Sequence, residues 1–462
     1  MSYDARTHYA TRNKSRLFKM IGMFTVKKYL LLILGCVAAL PLHAKTVETM
    51  LDNGMKVIVR EDHRAPVVVS QVWYRIGSSY EYDGVTGLSH VLEHMMFKGT
   101  KTLKPGEFSE IIAANGGSEN AFTSRDYTAY FQRIAKDRLE ICLKLEADRM
   151  RNVVFQPGEF KKEVAVVQEE RRWRVDNKPK SKLVEQFYAT AFLTSPIRLP
   201  TIGWMDDLKN MQMEDAAEWY RQWYAPNNAT LVIVGDVDSD EVIKLAQKYF
   251  ADIKPSQIQP PKPRPEIAQN GERRITLYGQ TANPYLLMGY KAPVLNDKDV
   301  DPKDTYALAV LSGILDGGNS ARIAMKMLRG DEIAVEAGTS YDPFDRLAGM
   351  FLFAGTPNDG IEPQQLEQAF INEIKDLQTN PVSTQELERV KAQVIASKVY
   401  DRDSMFNLGM QIGMLDSVGH DWRILDQYVD NIKTITAEDI QRVAKKYFDK
   451  TQLTVATLWP EK

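Results

Sequence analysis

A run of prolines near the middle of the chain sets the first limit on its fold. Between Ile253 and Glu266 the sequence reads Lys-Pro-Ser-Gln-Ile-Gln-Pro-Pro-Lys-Pro-Arg-Pro. Each proline removes a backbone donor and fixes φ, so the stretch stiffens into a linker rather than joining a helix or a sheet interior. The chain is thereby divided into two parts. Its 462 residues agree, being more than a single core usually carries.

The two parts repeat one another. Met213-Glu214-Asp215 opens a helix that ends at Trp223-Tyr224, and the strand Ala229-Thr230-Leu231-Val232-Ile233-Val234 follows. After the linker, Ala437-Glu438-Asp439 opens a helix that ends at Tyr447-Phe448, followed by Leu453-Thr454-Val455-Ala456-Thr457-Leu458. A strand over 285–290 answers one over 68–74. A shared order of elements at this period reads as duplication. Residues 47–60 alternate around Asn53-Gly54 as a hairpin does, and 67–76 and 129–134 are β-branched and aromatic runs. Helices are expected over 87–98, 140–150, 157–175 and 214–224, and a strand over 230–235. The expected fold is α+β: two homologous α/β-sandwich halves, each an antiparallel-rich sheet with helices packed on it. The expected boundaries are 45–253 for the first half, 254–266 for the linker and 267–462 for the second.

Residues 1–44 read as an export signal with an N-terminal extension. Lys27 and Lys28 precede an apolar run over 29–40, and Pro41-Leu42-His43-Ala44 offers a cleavage site before Lys45. Met20 or Met23 would be a more usual start. The run is shorter than the roughly 20 residues that cross a bilayer, which ranks a membrane anchor second. Ile33-Leu34-Gly35-Cys36 has a faint likeness to a lipoprotein box. The expected location is therefore exported and periplasmic. A net charge of −2 gives no argument for nucleic acid or an anionic membrane as partner. With Cys36 in the leader, Cys142 would be the mature chain's lone cysteine; it lies in an apolar helical pattern and reads as a buried, inert thiol.

The chemistry concentrates in Gly87-Leu88-Ser89-His90-Val91-Leu92-Glu93-His94-Met95-Met96-Phe97-Lys98-Gly99. On a helix, residues four apart stack on one face, so His90 and His94 can share one metal ion. Glu93 shares that face and can reach a water beside the ion. Leu88, Val91, Leu92 and Met95 form the opposite, core-facing stripe. Zinc needs a third protein ligand and an open position. The helix from Pro157 offers Glu163, Glu169 and Glu170; Glu163 and Glu170, seven apart, share a face, and Glu169 points about 100° away. One of that pair can bind the metal while the other orients a ligand. Spacing alone does not choose between them.

The segment 87–100 resembles the signature of the pitrilysin, insulinase and mitochondrial-processing-peptidase family of zinc peptidases, whose metal motif is inverted relative to thermolysin-like enzymes. The stretches Gly116-Gly117-Ser118-Glu119-Asn120-Ala121-Phe122-Thr123-Ser124, Glu163-Val164-Ala165-Val166-Val167-Gln168-Glu169-Glu170 and Asn227-Asn228-Ala229-Thr230 extend the likeness over nearly all of the mature chain. The resemblance implies His90, His94 and Glu170 as ligands of one Zn2+, Glu93 as general base and Glu163 as supporting acid. It also implies Asn120, Ala121 and Phe122 as an edge strand to which an extended peptide adds, and two halves closing like a clam around a chamber.

The second half departs from the family pattern. Gly317-Gly318-Asn319-Ser320-Ala321-Arg322 matches the approach to a substrate-binding Arg-Tyr pair, and Arg329 matches the arginine. Where the tyrosine is expected stands Val335, which cannot donate a hydrogen bond. Some members of the family work as pairs, one subunit holding the metal and the other the Arg-Tyr pair. The expected partners are thus an extended peptide substrate and a metal-free homologous subunit, with a homodimer otherwise. The expected activity is zinc-dependent endopeptidase. Two readings compete with it: a non-catalytic binding or assembly subunit, and a zinc hydrolase acting on something other than peptides.

Overall fold

The computed structural model describes residues 45–401 and 403–461. The leader expected over 1–44 lies outside the described residues. Two sheets form the frame. The first has six strands, β1 (Thr46–Met50), β2 (Lys56–Glu61), β3 (Val67–Tyr74), β4 (Ser118–Thr123), β5 (Thr128–Ala135) and β6 (Ala229–Gly235), in the order β1-β2-β6-β3-β5-β4. The second has β7 (Arg273–Gly279), β8 (Tyr285–Ala292), β9 (Ala334–Ser340), β10 (Gly349–Pro357) and β11 (Leu453–Pro460), in the order β7-β11-β8-β10-β9.

The two orders superpose once β1 is set aside. β2 runs parallel to β6 as β7 does to β11, and β6 pairs antiparallel with β3 as β11 does with β8. β3-β5-β4 is answered by β8-β10-β9, antiparallel throughout. The repeated helices Met213–Trp223 and Ala437–Tyr447 both begin with a capping box, closed by Asp215 in one copy and Asp439 in the other. That is why the same acid stands at the same place in each copy.

Each sheet has one face covered by helices of its own half and the other by a helix of the opposite half. Met405–Ser417 packs on β3 and β6 so closely that a Cβ added at Gly413 would overlap the Trp73 ring. Pro179–Ala191 packs on β7, β8 and β11, burying Leu183 and Phe187 against Leu287, Met350 and Leu458. Asp416, 3% exposed, locks the first of these contacts. It accepts from Lys56 Nζ at 2.5 Å, Arg75 Nη2 at 2.8 Å and Thr230 Oγ1 at 2.5 Å. Among the described residues no helix is long and apolar enough to cross a membrane.

Candidate metal centre and cleft

The helix Leu88–Met95 carries the histidine pair. Leu88, Val91, Leu92 and Met95 are buried in the first core, so the sequence's apolar stripe turns the opposite face outward. Gly87 starts the helix in the left-handed region, with φ at 85°. A Cβ there would stand 2.7 Å from the Ile202 carbonyl, so only glycine admits the 200–203 segment above the helix start. Glu81 satisfies the first-turn donors: its carboxylate accepts from Gly87 N at 2.8 Å and Ser89 N at 2.7 Å. Full burial pushes the Glu81 carboxyl up to about 7 against those two bonds.

The helix Pro157–Arg171 lies across it and brings both acids of the sequence pair to the histidines. Glu170 Oε2 is 3.4 Å from His90 Nε2 and 3.9 Å from His94 Nε2. The ligand atoms of the three residues all lie within 4.8 Å of one another, the one such group among the described residues. Ligands at about 2.1 Å in a tetrahedron stand about 3.4 Å apart, so the spacing suits one small cation. Glu170 Oε2 is buried with no hydrogen-bond partner, so the donor set fits a cation held between it and the two rings. Burial lowers His90 to about 3, helped by the charges of His94 and Arg174, so its ring is neutral and its lone pair is available. A π-turn over Arg172–Asp176 begins two residues after Glu170. It carries Arg174, whose Nη2 is 3.3 Å from Glu170 Oε1.

Glu163, the other acid of the pair, turns to the far side of His94. Its Oε2 is 3.1 Å from His94 Nδ1 and its Oε1 is 2.8 Å from Lys98 Nζ. Geometry thus separates two glutamates that spacing leaves equivalent: Glu170 faces the ring nitrogens that converge, and Glu163 holds the nitrogen that points away. Glu93 sits beside the group. Burial raises its carboxyl above the usual range, while the Thr123 hydroxyl at 2.5 Å and the charge of His94 draw it back down.

These residues open into a cleft of about 720 Å³. One wall is β4, the last strand of its sheet, whose outer edge has no partner strand among the described residues. Asn120, Ala121 and Phe122 line it. Alternation along β4 sets Ala121 and Thr123 toward the motif helix. The Phe122 ring goes to the other face and packs edge-on against Trp73 and Tyr127. What Phe122 gives the cleft is therefore backbone rather than ring. The other wall comes from Pro179–Ala191 through Val184 and Tyr188, with 197–202 above. Sequence reasoning missed that wall; its apolar residues belong to a helix that covers the opposite sheet, and no local pattern signals this.

Arg329 is not brought to the cleft. It is exposed on the second half, where its guanidinium donates to the Ala324 carbonyl at 3.3 Å and to Met325 Sδ at 3.2 Å. Val335 lies on β9, the corresponding edge of the second sheet, and is 62% exposed. Cys142 is buried, and burial pushes its thiol up to about 12, in keeping with an inert side chain.

A duplicated α+β fold that gathers two histidines and a distant glutamate in its first half, the one such group among the described residues, is the architecture of a metallopeptidase-like class. The chain belongs to peptidase family M16, the pitrilysin and insulinase family. A family model described as Insulinase (Peptidase family M16) matches residues 56–203, and one described as the peptidase M16 inactive domain matches 210–394. The chain is 32% identical over 415 residues to a protein of Helicobacter pylori named zinc protease PqqE, covering 89% of this chain and 92% of that one. It is 26% identical over 436 residues to the mitochondrial-processing peptidase subunit beta of Dictyostelium discoideum, covering 91% and 90%. The crystal structure of a protease from Helicobacter pylori matches with a TM-score of 0.85 at 31% identity, over 90% of this chain and all of that one. These names support a peptidase-like function.

Proposed function

We propose that the chain is a zinc-dependent endopeptidase that hydrolyses extended peptides or small unfolded polypeptides. The observation that carries this reading is the convergence of His90 Nε2, His94 Nε2 and the orphaned Glu170 Oε2, with the Glu93 carboxylate beside them at the floor of an edge-strand cleft. These three residues are the proposed zinc ligands, in a first half spanning 45–253; the linker is 254–266 and the second half, 267–462, is metal-free. When bound, zinc supplies Lewis acidity, which acidifies water and polarises an amide carbonyl. Glu93 takes the proton from the attacking water and passes it to the leaving amine. Glu163 holds His94 in the tautomer that leaves Nε2 free for the metal. Asn120, Ala121 and Phe122 offer the open edge of β4, where a substrate backbone adds as a further strand and its side chains meet the cleft walls.

Arg329 receives no part in this scheme within one chain, and Val335 has no donor for a developing oxyanion. The carbonyl-holding pair is assigned to a partner subunit, a metal-free homologue; the likeness to a mitochondrial-processing peptidase subunit supports that arrangement. A homodimer is the alternative. Residues 1–44 would export the chain, which agrees with a periplasmic peptidase. Val335 and the second family model's description as an inactive domain favour one competing reading, a non-catalytic binding or assembly subunit.

Zinc content and cleavage of a mixed peptide pool, wild type beside Glu93→Gln, test the proposal. The expected result is one zinc per chain in both proteins, with turnover falling at least about 100-fold in the variant. A variant that cleaves like wild type removes Glu93 from the chemistry. A zinc-loaded wild type that cleaves nothing, alone or with its homologue, favours the binding subunit.

A further inference from the structure

A glutamate that must accept a proton from one direction needs its carboxylate plane fixed. The terminal torsion of glutamate is a broad, two-fold rotor, so packing of its methylenes alone does not fix that plane. In this site Thr123 Oγ1 donates to Glu93 Oε2 at 2.5 Å, and Glu93 Oε1 has no hydrogen-bond partner among the described residues. A short O–H···O⁻ bond of this kind is among the stronger hydrogen bonds in proteins. The hydroxyl is itself held. Thr123 pairs with Thr128 across the last rung of the β4–β5 ladder. Thr128 Oγ1 lies 3.4 Å from Thr123 Oγ1 and 2.9 Å from the Ile76 carbonyl, which gives the Thr128 proton its own acceptor. The turn beyond is pinned from the second half, where Arg346 Nε donates to Asp126 Oδ1 at 2.7 Å.

We propose that Thr123 is a positioning residue for Glu93. Its hydroxyl anchors one carboxylate oxygen and leaves the other aimed at the attacking water. This rests on the peptidase reading above. Thr123 is the final residue of the edge strand offered to substrate, so the strand that would seat the peptide also sets the direction of the base. A peptide added along β4 and the carboxylate beside it are then referred to one rigid element, which is what near-attack geometry requires.

Thr123→Val removes the hydroxyl and keeps the β-branched shape; Thr123→Ser keeps the hydroxyl and loses the methyl. The two variants separate positioning from packing. Steady-state peptide cleavage, zinc content and thermal midpoint are measured for both beside wild type and Glu93→Gln. The expected outcome for Thr123→Val is full zinc, a wild-type midpoint, KM within about threefold, and kcat lower by roughly 10–100-fold. Thr123→Ser is expected to recover kcat to within about threefold of wild type. A Thr123→Val enzyme with wild-type kcat overturns the proposal. So does a Thr123→Ser enzyme as slow as Thr123→Val, which would assign the loss to packing, and so does a loss confined to KM. If Thr123→Val fails to fold, kcat of Thr123→Ser decides, since packing requires it to fall and positioning requires it to hold. Wild-type turnover that survives both zinc removal and Glu93→Gln defeats the peptidase reading itself, and this proposal with it. With those two controls intact, a fast Thr123→Val defeats only the proposal.

Discussion

Glu163→Ala and Glu163→Gln should weaken metal binding while leaving all three proposed ligands in place. Glu163 is 7% exposed, and its two oxygens divide their work between His94 Nδ1 at 3.1 Å and Lys98 Nζ at 2.8 Å. An imidazole has two tautomers; a carboxylate on Nδ1–H selects the one whose Nε2 lone pair faces Glu170 and makes that nitrogen more basic. Loss of such a partner typically lowers metal affinity 10–100-fold. At about 1.4 kcal/mol per tenfold, that is about 1.4–2.8 kcal/mol of binding free energy. Gln keeps an acceptor oxygen and gives up the charge, so it belongs near the tenfold end. Ala gives up orientation as well and belongs near the hundredfold end. Lys98→Met is the control: it removes the ammonium and leaves the carboxylate on His94, so affinity should stay within about threefold of wild type. Zinc dissociation constants come from competition with a chromogenic chelator at neutral pH. An affinity for Glu163→Ala within about threefold of wild type would refute the reasoning, because His94 would then be oriented by its helix alone.

Two further outcomes concern stability. Glu81 has a folded-state pKa raised by burial to about 7, against 4.5 for an ordinary glutamate. The native state therefore binds more protons than the unfolded chain between those values, and stability falls as pH rises through that window, by a ceiling of roughly 3 kcal/mol. Urea denaturation of metal-stripped protein across the window should show this fall in wild type and a shallower one in Glu81→Gln; parallel curves would contradict it. Asp416→Ala leaves Lys56 and Arg75 without their shared carboxylate. Because both cations are partly exposed and can turn to water, the loss should be about 2–3 kcal/mol, below the 3–5 of a fully buried pair. Asp416 is held below its usual pKa despite burial, by Arg75, Lys56 and Thr230, so its contribution is present above pH 3.8 and disappears on acidification below it. A urea midpoint unchanged by the substitution at neutral pH, or a loss that grows in acid, would count against this account.

The duplicated frame was legible because its signals are local. A capping box at Asp215 and Asp439, and β-branched runs at 229–234 and 453–458, announce themselves within a dozen residues of chain. His90, Glu93 and His94 were legible for the same reason, since one helix carries all three on one face. Spacing found Glu163 and Glu170 as a pair and only the family resemblance told them apart, because which oxygen meets which ring nitrogen depends on how two helices cross. Thr123 left no local mark of its contact with Glu93, thirty residues away. Tyr188 and Val184 were invisible as cleft residues, since they project from a helix whose apolar stripe serves the other sheet. Arg329 shows the converse: a residue matched by its neighbours in sequence bonds to Ala324 and Met325 beside it and is not among the residues that line the cleft.

The exchange of Pro179–Ala191 and Met405–Ser417 between the sheets has a consequence for what the linker achieves. A polypeptide of half this length would leave one side of its sheet bare, and would have to pair with another copy to hide it. Such a pair dissociates on dilution, since its cohesion depends on protomer concentration. Joined in one chain by the stretch between Phe250 and Arg273, which holds no helix or strand, the same mutual embrace becomes intramolecular. It survives at any dilution.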